Sequence, residues 1–185
     1  MTVLDFGQTI GGVFQTAFIV EDLKTAMDEF TKKLNVGPWF VAGPFVPPRG
    51  VYRGEPTDMR VEIAVGHAGH MQYELIQQHD DKPSVFMEVA KSRGYGFHHF
   101  GKLTTDLEGD VARFQAQGFE LAFSDFSPRG AEIRYMDTLS VLPGMTELVE
   151  YSPAIEAIYT EYYRASVGWD GTDPIRRAKL PRPPE

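Results

Sequence analysis

"YGFHHFGKLTTDL", residues 95–107, is the stretch on which the reading of this chain turns. An adjacent histidine pair, His98-His99, lies in an aromatic-rich run, and seven residues after His99 the step Asp106-Leu107 opens a segment of helical apolar spacing. Residues 12–23, "GVFQTAFIVEDL", repeat that layout, with Gln15 seven residues before Asp22-Leu23. Phe30 and Phe114 extend the match, each fifteen residues after Gln15 and His99 respectively. The copies also end alike, since "QYELIQ" and "MTELVEY" put Glu74 and Glu147 at corresponding points. An echo of this length predicts two similar supersecondary units that bury one another's apolar faces.

Each unit reads as strand, helix, strand, strand, strand. In the first, residues 13–20 are β-branched and aromatic enough for a strand, and Asp22 is the expected N-cap of a helix. Leu23, Ala26, Met27, Phe30 and Leu34 give that helix one apolar stripe, and Gly37-Pro38 is its expected end. An aromatic strand from Trp39, a loop around Pro47, Pro48 and Gly50, and strands at 60–66 and 71–77 follow. Residues 82–94 predict a linking helix with Ser84 as cap and Gly94 as stop. In the second unit the strand holding His99 precedes a helix with Leu107, Val111 and Phe114 on one face. There Thr105 and Glu108 fit a capping box. Strands at 119–124, 131–138 and 145–151 complete it.

The expected fold is therefore α+β: two tandem βαβββ modules, residues 1–81 and 82–152, forming curled mixed sheets around a shared cavity. Residues 153–185 add a C-terminal helix, with Ile155, Ile158, Tyr159 and Tyr162 on one side, and a tail. The tail from 168 onward is Pro- and Arg-rich without periodicity, and so is expected to be extended or disordered. A solvated tail is the simpler reading, and an arm wrapping a second subunit the sharper one.

Composition narrows the function. The 185 residues are 42% hydrophobic and 24% charged, as in an ordinary globular protein. A net charge of −8 argues against a nucleic-acid surface, which needs a basic stripe, and disfavours anionic membranes. No apolar run has membrane-spanning length, and residues 1–12 lack the basic start and apolar block of a signal peptide, so a cytoplasmic location is expected. With no cysteine, disulfides, thiolate zinc sites and a cysteine nucleophile are excluded, and any metal must rest on nitrogen and oxygen ligands.

Strand parity then selects four residues. Gln15 and His99 on the first strands and Glu74 and Glu147 on the last occupy equivalent places in the repeat, and two curled units would turn all four into one cavity. One imidazole, two carboxylates and one amide oxygen suit a divalent ion: zinc, nickel, cobalt, manganese or magnesium. Buried carboxylates on apolar strands are otherwise costly, whereas His99 alone would suit a core histidine and Gln15 a backbone partner. His98 and Glu150 have the opposite parity, which predicts packing for the one and solvent for the other. His67 and His70 form a rival i, i+3 pair, better explained as exposed turn residues. Tyr52, Arg53, Arg60 and Arg134 suit an anionic substrate, but surface salt bridges account for the arginines as well.

With these positions in hand, the chain resembles the vicinal oxygen chelate superfamily, which includes glyoxalase I, methylmalonyl-CoA epimerase, extradiol dioxygenases, fosfomycin resistance enzymes and bleomycin-sequestering proteins. "GPWF", "YELIQ", "GFHHFG" and "TELVEY" carry the resemblance, over roughly residues 13–151 and nearest the epimerase and glyoxalase I branch. It implies Gln15, Glu74, His99 and Glu147 as metal ligands, a set similar to that of zinc-type glyoxalase I. Methylmalonyl-CoA epimerases resemble His-Gln-His-Glu, so the chain departs from them at Gln15 and Glu74. Extradiol dioxygenases need a second histidine where Gln15 stands. The implied activity is that of a metal-dependent lyase or isomerase that abstracts a proton next to a carbonyl through a metal-stabilised enediolate. Glu147 would be the first choice for the proton and Glu74 the second. The implied partner is a small-molecule substrate, apolar or a thioester, and the implied assembly a homodimer. The alternative is a metal-free, bleomycin-resistance-like binding protein.

Overall fold

Two aspartates start the paired helices in the same way. The Asp22 carboxylate accepts the Thr25 amide at 2.7 Å and begins α1 (Leu23–Leu34), and the Asp106 carboxylate accepts the Gly109 amide at 3.0 Å and begins α3 (Leu107–Ala116). The Thr105–Glu108 capping box is therefore not formed. Asp106 takes the cap one residue later, and its own amide is bound by the Thr104 hydroxyl at 3.0 Å. The end of α1 also differs from expectation: Asn35 turns left-handed at φ 55° before Gly37-Pro38 is reached, and Leu34 is left exposed. Short polar side chains tolerate that conformation, which makes asparagine a natural stop.

The computed structural model describes residues 2–178. Around these helices lie the strands β1 (Val13–Ile19), β2 (Trp39–Phe45), β3 (Val51–Tyr52), β4 (Glu55–Pro56), β5 (Val61–Ala68) and β6 (Met71–Gln78). After α2 (Val85–Arg93), which is capped by Ser84 and ends at Gly94, come β7 (Gly96–Thr104), β8 (Leu121–Phe126), β9 (Glu132–Met136) and β10 (Met145–Glu150). Helix α4 (Pro153–Ser166) and a short strand β11 (Ile175–Arg177) close the described chain.

All these strands form one mixed sheet in the order β11-β2-β5-β6-β1-β7-β10-β9-β8-β3-β4. At its centre β1 and β7 run antiparallel, and each is flanked by a parallel strand from its own half, β6 or β10. The register makes the sequence echo literal. Ala17, two residues beyond Gln15, lies opposite Glu74; Gly101, two residues beyond His99, lies opposite Glu147. Across the seam Ala17 faces His99 and Gln15 faces Gly101. Opposed residues share a face of the sheet, so all four candidate ligands emerge on the same side.

That side is concave because the sheet is drawn round on itself. The β3–β4 hairpin, carried by the loop after β2, crosses to the far end and pairs with β8, Val51 with Ser124 and Tyr52 with Phe123. Arg53 in its turn pins it there, binding Glu88 on α2 at 2.6 Å, Asp137 at 2.7 Å and Glu120 at 3.1 Å. These ion pairs, with the Tyr52 hydroxyl donating to Glu88 at 2.8 Å, account for Tyr52 and Arg53 as structural groups. Arg134 is likewise engaged by Glu132 and Glu108, and Arg60 is exposed.

The core divides accordingly. On the convex side Leu23 and Met27 of α1 pack on Ala64 and Leu75, and Leu107 and Val111 of α3 pack on Met136 and Leu148. The larger cluster fills the concave side, where Phe6, Val85, Phe86, Ile155, Tyr159 and Tyr162 cover strand residues such as Phe14, Ile63, Ile76 and Val149. Tyr162 stacks on Phe40 with ring centroids 3.9 Å apart. Full burial of each such large side chain contributes about 1.5–3 kcal/mol, so α4 is an integral wall of the domain.

The tail is not a free arm as far as residue 178: β11 adds to the edge of β2 in parallel, Ile175 opposite Trp39 and Arg177 opposite Val41. Its β-pairing donors and acceptors are satisfied by an edge that composition alone does not reveal. Residues 179–185 of the predicted tail lie outside the described residues. No described helix is long and apolar enough to cross a membrane.

Candidate metal centre

Glu74, His99 and Glu147 converge at the floor of the concave side. His99 Nε2 lies 3.3 Å from Glu147 Oε2 and 3.6 Å from Glu74 Oε2, and one donor atom from each residue falls within 4.8 Å of the others. Donors about 2.1 Å from a common divalent ion sit about 3.0–3.4 Å apart, so this spacing suits a shared metal. All three residues are buried, His99 completely. Two carboxylates thus share a buried site. Burial first, then the charge on Glu147, pushes the Glu74 carboxyl up to about 7, against the opposing pull of His99 and Arg129. A divalent ion would cancel both charges.

A hydrogen-bond chain aims the imidazole. The Val85 carbonyl, an acceptor only, lies 3.1 Å from His98 Nε2 and so fixes the proton there. His98 Nδ1 is then the acceptor in its 2.8 Å contact with His99 Nδ1. With Nδ1 engaged by His98, His99 turns Nε2, which has no hydrogen-bond partner, toward both carboxylates. Burial, then His99, pushes His98 down to about 3, so it remains a neutral link in the chain.

His98 can take this role because strand parity is broken beside it. Ala17 pairs with His99 but Phe18 pairs with Phe97, which leaves His98 as the extra residue of a β-bulge. It is packed, as expected, but beside His99 against the same Tyr135 ring rather than on the opposite face. Glu150 is solvent-exposed, in line with its parity.

Gln15 is oriented from the other side. Its Nε2 donates to Gln72 Oε1 at 2.7 Å, and Gln72 Nε2 approaches His67 Nε2 at 3.5 Å; these three are register partners across β1, β6 and β5. The Gln15 carbonyl oxygen is left buried, without a partner, in the cavity that Glu74 and Glu147 also line. Room for it comes from Gly101: a Cβ there would lie 2.7 Å from Gln15 Oε1 and 3.0 Å from Gln15 Cβ. The residues fit a metal by the chemistry of their donors, with two carboxylates and two orphaned neutral donor atoms on one face.

The His67–His70 pair does not form a site. His67 is buried at 1% exposure rather than placed in an open turn, since Tyr163 of α4 covers it, and burial pushes its pKa down to about 3. His70 binds the Phe6 carbonyl through Nδ1 at 3.1 Å and stacks on Tyr163.

Above the floor the walls are apolar, with Phe45, Met59, Val61, Phe86 and Phe123 among them. Polar groups that sequence reading did not assign to a site also line the cavity. Tyr135 and Tyr159 are raised above the usual phenol range, by burial first. Asp125 accepts the Arg49 amide at 3.0 Å, and burial raises its carboxyl. Arg129, in the "SPRG" turn between β8 and β9, is 3% exposed and reaches within 3.9 Å of Glu74. No periodicity marks that turn, so nothing in the sequence pointed to it. The first half of the chain supplies Gln15 and Glu74 and the second His99 and Glu147, so no second subunit is needed to complete the cluster.

Residues 14–136 match a family model described as the glyoxalase/bleomycin resistance protein/dioxygenase superfamily, a span that includes three of the four candidate ligands and ends before Glu147. Among solved structures, the hypothetical protein BH1468 from Bacillus halodurans C-125 aligns with a TM-score of 0.57 at 17% identity, covering 76% of this chain and 94% of that one. A methylmalonyl-CoA epimerase from Mycobacterium tuberculosis aligns with a TM-score of 0.55 at 20% identity, over 85% of this chain and 95% of that one. A methylmalonyl-CoA epimerase in complex with methylmalonyl-CoA gives 0.54 at 15% identity, over 79% and 98%. At such identities the likeness is one of fold. No curated protein matches the chain.

Proposed function

Because the chain belongs to the glyoxalase/bleomycin resistance protein/dioxygenase superfamily, we propose that it is a divalent-metal-dependent enzyme of the glyoxalase or epimerase type, acting on the carbon next to a substrate carbonyl. The observation that carries this reading is the buried Glu74–His99–Glu147 cluster with its unpartnered His99 Nε2. Gln15, Glu74, His99 and Glu147 are the proposed ligands, and zinc, nickel, cobalt, manganese or magnesium all suit such a set. When bound, the ion would supply Lewis acidity at the substrate carbonyl and so acidify the neighbouring C–H.

The chain's own residues do the rest. Glu147 accepts the proton from carbon and Glu74, whose carboxylate lies 3.6 Å from His99 Nε2, returns one, which yields epimerisation, isomerisation or a glyoxalase-like lyase outcome. The His98–His99 hydrogen bond holds the imidazole in place, and the Phe86, Phe123 and Tyr135 rings exclude water. Methylmalonyl-CoA epimerases among the structural neighbours make acyl-CoA thioesters one substrate class to test.

The test is solvent deuterium exchange, followed by NMR, into 2-oxo acids, acyl-CoA thioesters and hemithioacetals with metal-loaded protein. Glu147→Gln is expected to lower the exchange rate by about 100-fold or more with the fold intact. An unchanged rate in that variant would overturn the assignment. The apolar walls also suit a protein that only sequesters a hydrophobic small molecule, and native protein with neither metal nor exchange would favour that reading.

A further inference from the structure

We propose that His67, which is not itself a ligand, is a positioning residue for the metal centre: through Gln72 it decides which end of the Gln15 amide meets the ion. This rests on the metal reading above and extends it beyond the ligand set. The register lays the parts out in one row across neighbouring strands. His67 on β5 lies opposite Gln72 on β6, and Gln72 opposite Gln15 on β1. Gln15 in turn lies opposite Gly101 on β7, and Gly101 opposite Glu147 on β10. Opposed residues share a face, so the row runs from an imidazole to a carboxylate, with the space over Gly101 between the ligands Gln15 and Glu147. His67, Gln72 and Gln15 are buried to 1%, 0% and 2% exposure. Three adjoining polar side chains there are costly unless they satisfy one another.

They do so in one direction. An amide nitrogen donates and an amide oxygen accepts. Gln15 Nε2 donates to Gln72 Oε1 at 2.7 Å, and Gln72 Nε2 then faces His67 Nε2, 3.5 Å away at the long end of hydrogen-bonding range. His67 Nε2 is therefore the acceptor, and the ring proton sits on Nδ1. That nitrogen has no partner, so the contact with Gln72 alone selects the tautomer. Burial keeps the ring neutral, its pKa pushed down to about 3, and a neutral imidazole has one nitrogen free to accept. At the other end of the chain Gln15 Oε1 is left buried and unpartnered for the ion. With the proton on His67 Nε2, both amides would turn over and Gln15 would show its N–H groups to the cavity that Glu74 and Glu147 line. An amide nitrogen has no lone pair to give a metal, so the fourth donor would be lost. His98 stands behind His99 in the same way, at 2.8 Å, so each neutral ligand has a histidine that orients it.

Zinc affinity, measured by chelator competition in wild type, His67→Phe, Gln15→Glu and the double variant, tests this. A phenyl ring fills the place of the imidazole under Tyr163 without offering an acceptor. A carboxylate in place of Gln15 presents oxygen whichever way it turns. His67→Phe should cost about tenfold in zinc affinity where Gln15 is kept, and less than about twofold in the Gln15→Glu background. Equal losses in the two backgrounds, or no loss where Gln15 is kept, would overturn the proposal. Proton–nitrogen NMR correlation of the histidine rings in zinc-loaded wild type decides independently of whether the variants fold. The His67 proton should sit on Nδ1, and a proton on Nε2 would overturn the proposal. If wild type takes up no zinc, the metal reading fails, and the same spectrum of metal-free protein still decides whether His67 holds the Gln15 carbonyl toward the cavity.

Discussion

Replacing Glu74 by glutamine should stabilise the metal-free protein, and by an amount that grows with pH. In the folded chain the Glu74 carboxyl is raised from 4.5 to about 7 by burial and by the charge on Glu147. A carboxyl whose folded pKa lies above its unfolded one favours folding at low pH. That advantage is whole below about 4.5, fades as pH rises, and is gone above about 7. A displacement of about 2.5 pH units corresponds to about 3 kcal/mol, and the full burial of the group leaves no solvent screening to discount it. Between pH 5 and pH 8 the stability of Glu74→Gln relative to wild type should therefore rise by about 2–3 kcal/mol. His67 and His98, both pushed down to about 3, act in the opposite sense: the stability they contribute is lost as pH falls from about 6.5 toward 3. That dependence is common to both proteins and cancels in the difference. Urea denaturation in the presence of a chelator measures it. Adding a divalent metal should reverse the order above pH 7, because the ion takes the place of the proton and wild type alone keeps both carboxylates. A pH-independent difference between the two proteins would refute the reasoning.

Further outcomes follow from the same geometry. His98→Phe keeps the packing beside Phe86 and Tyr135 but removes the acceptor for His99 Nδ1–H, so metal affinity measured by chelator competition should drop about 10- to 100-fold while the fold survives. Gly101→Ala puts a methyl 2.7 Å from Gln15 Oε1; a loss of about tenfold in metal affinity is expected if that oxygen is a ligand, and none if it is not. Arg53→Ala releases Glu88, Asp137 and Glu120 and unpins the β3–β4 hairpin. The cost should be about 1–3 kcal/mol in urea denaturation, since the side chain is only partly exposed, with faster proteolysis within residues 46–60.

The repeat was legible because it rests on spacing alone: Gln15 to Asp22 and His99 to Asp106 span equal distances, and each aspartate caps its helix. Period-two alternation likewise put Glu74 and Glu147 on the face they occupy. Parity failed at His98, where one bulged residue moves a side chain out of alternation, and no residue type marks a bulge in advance. His67 looked like a turn residue because its burial comes from α4, almost a hundred residues further along the chain. Strands β3, β4 and β11 were missed for a related reason. Two or three residues carry no periodic signal, and these form by pairing with edges built elsewhere. Arg129 is the extreme case, a loop residue whose meaning depends wholly on what lies across the cavity.

The central claim is that Gln15, Glu74, His99 and Glu147 hold one divalent ion, and metal content tests it most directly. Elemental analysis of the native protein should give one zinc, nickel, cobalt, manganese or magnesium per chain, retained through gel filtration and lost in His99→Ala. Protein that carries no stoichiometric metal, or a His99→Ala variant that keeps it in full, would contradict the account.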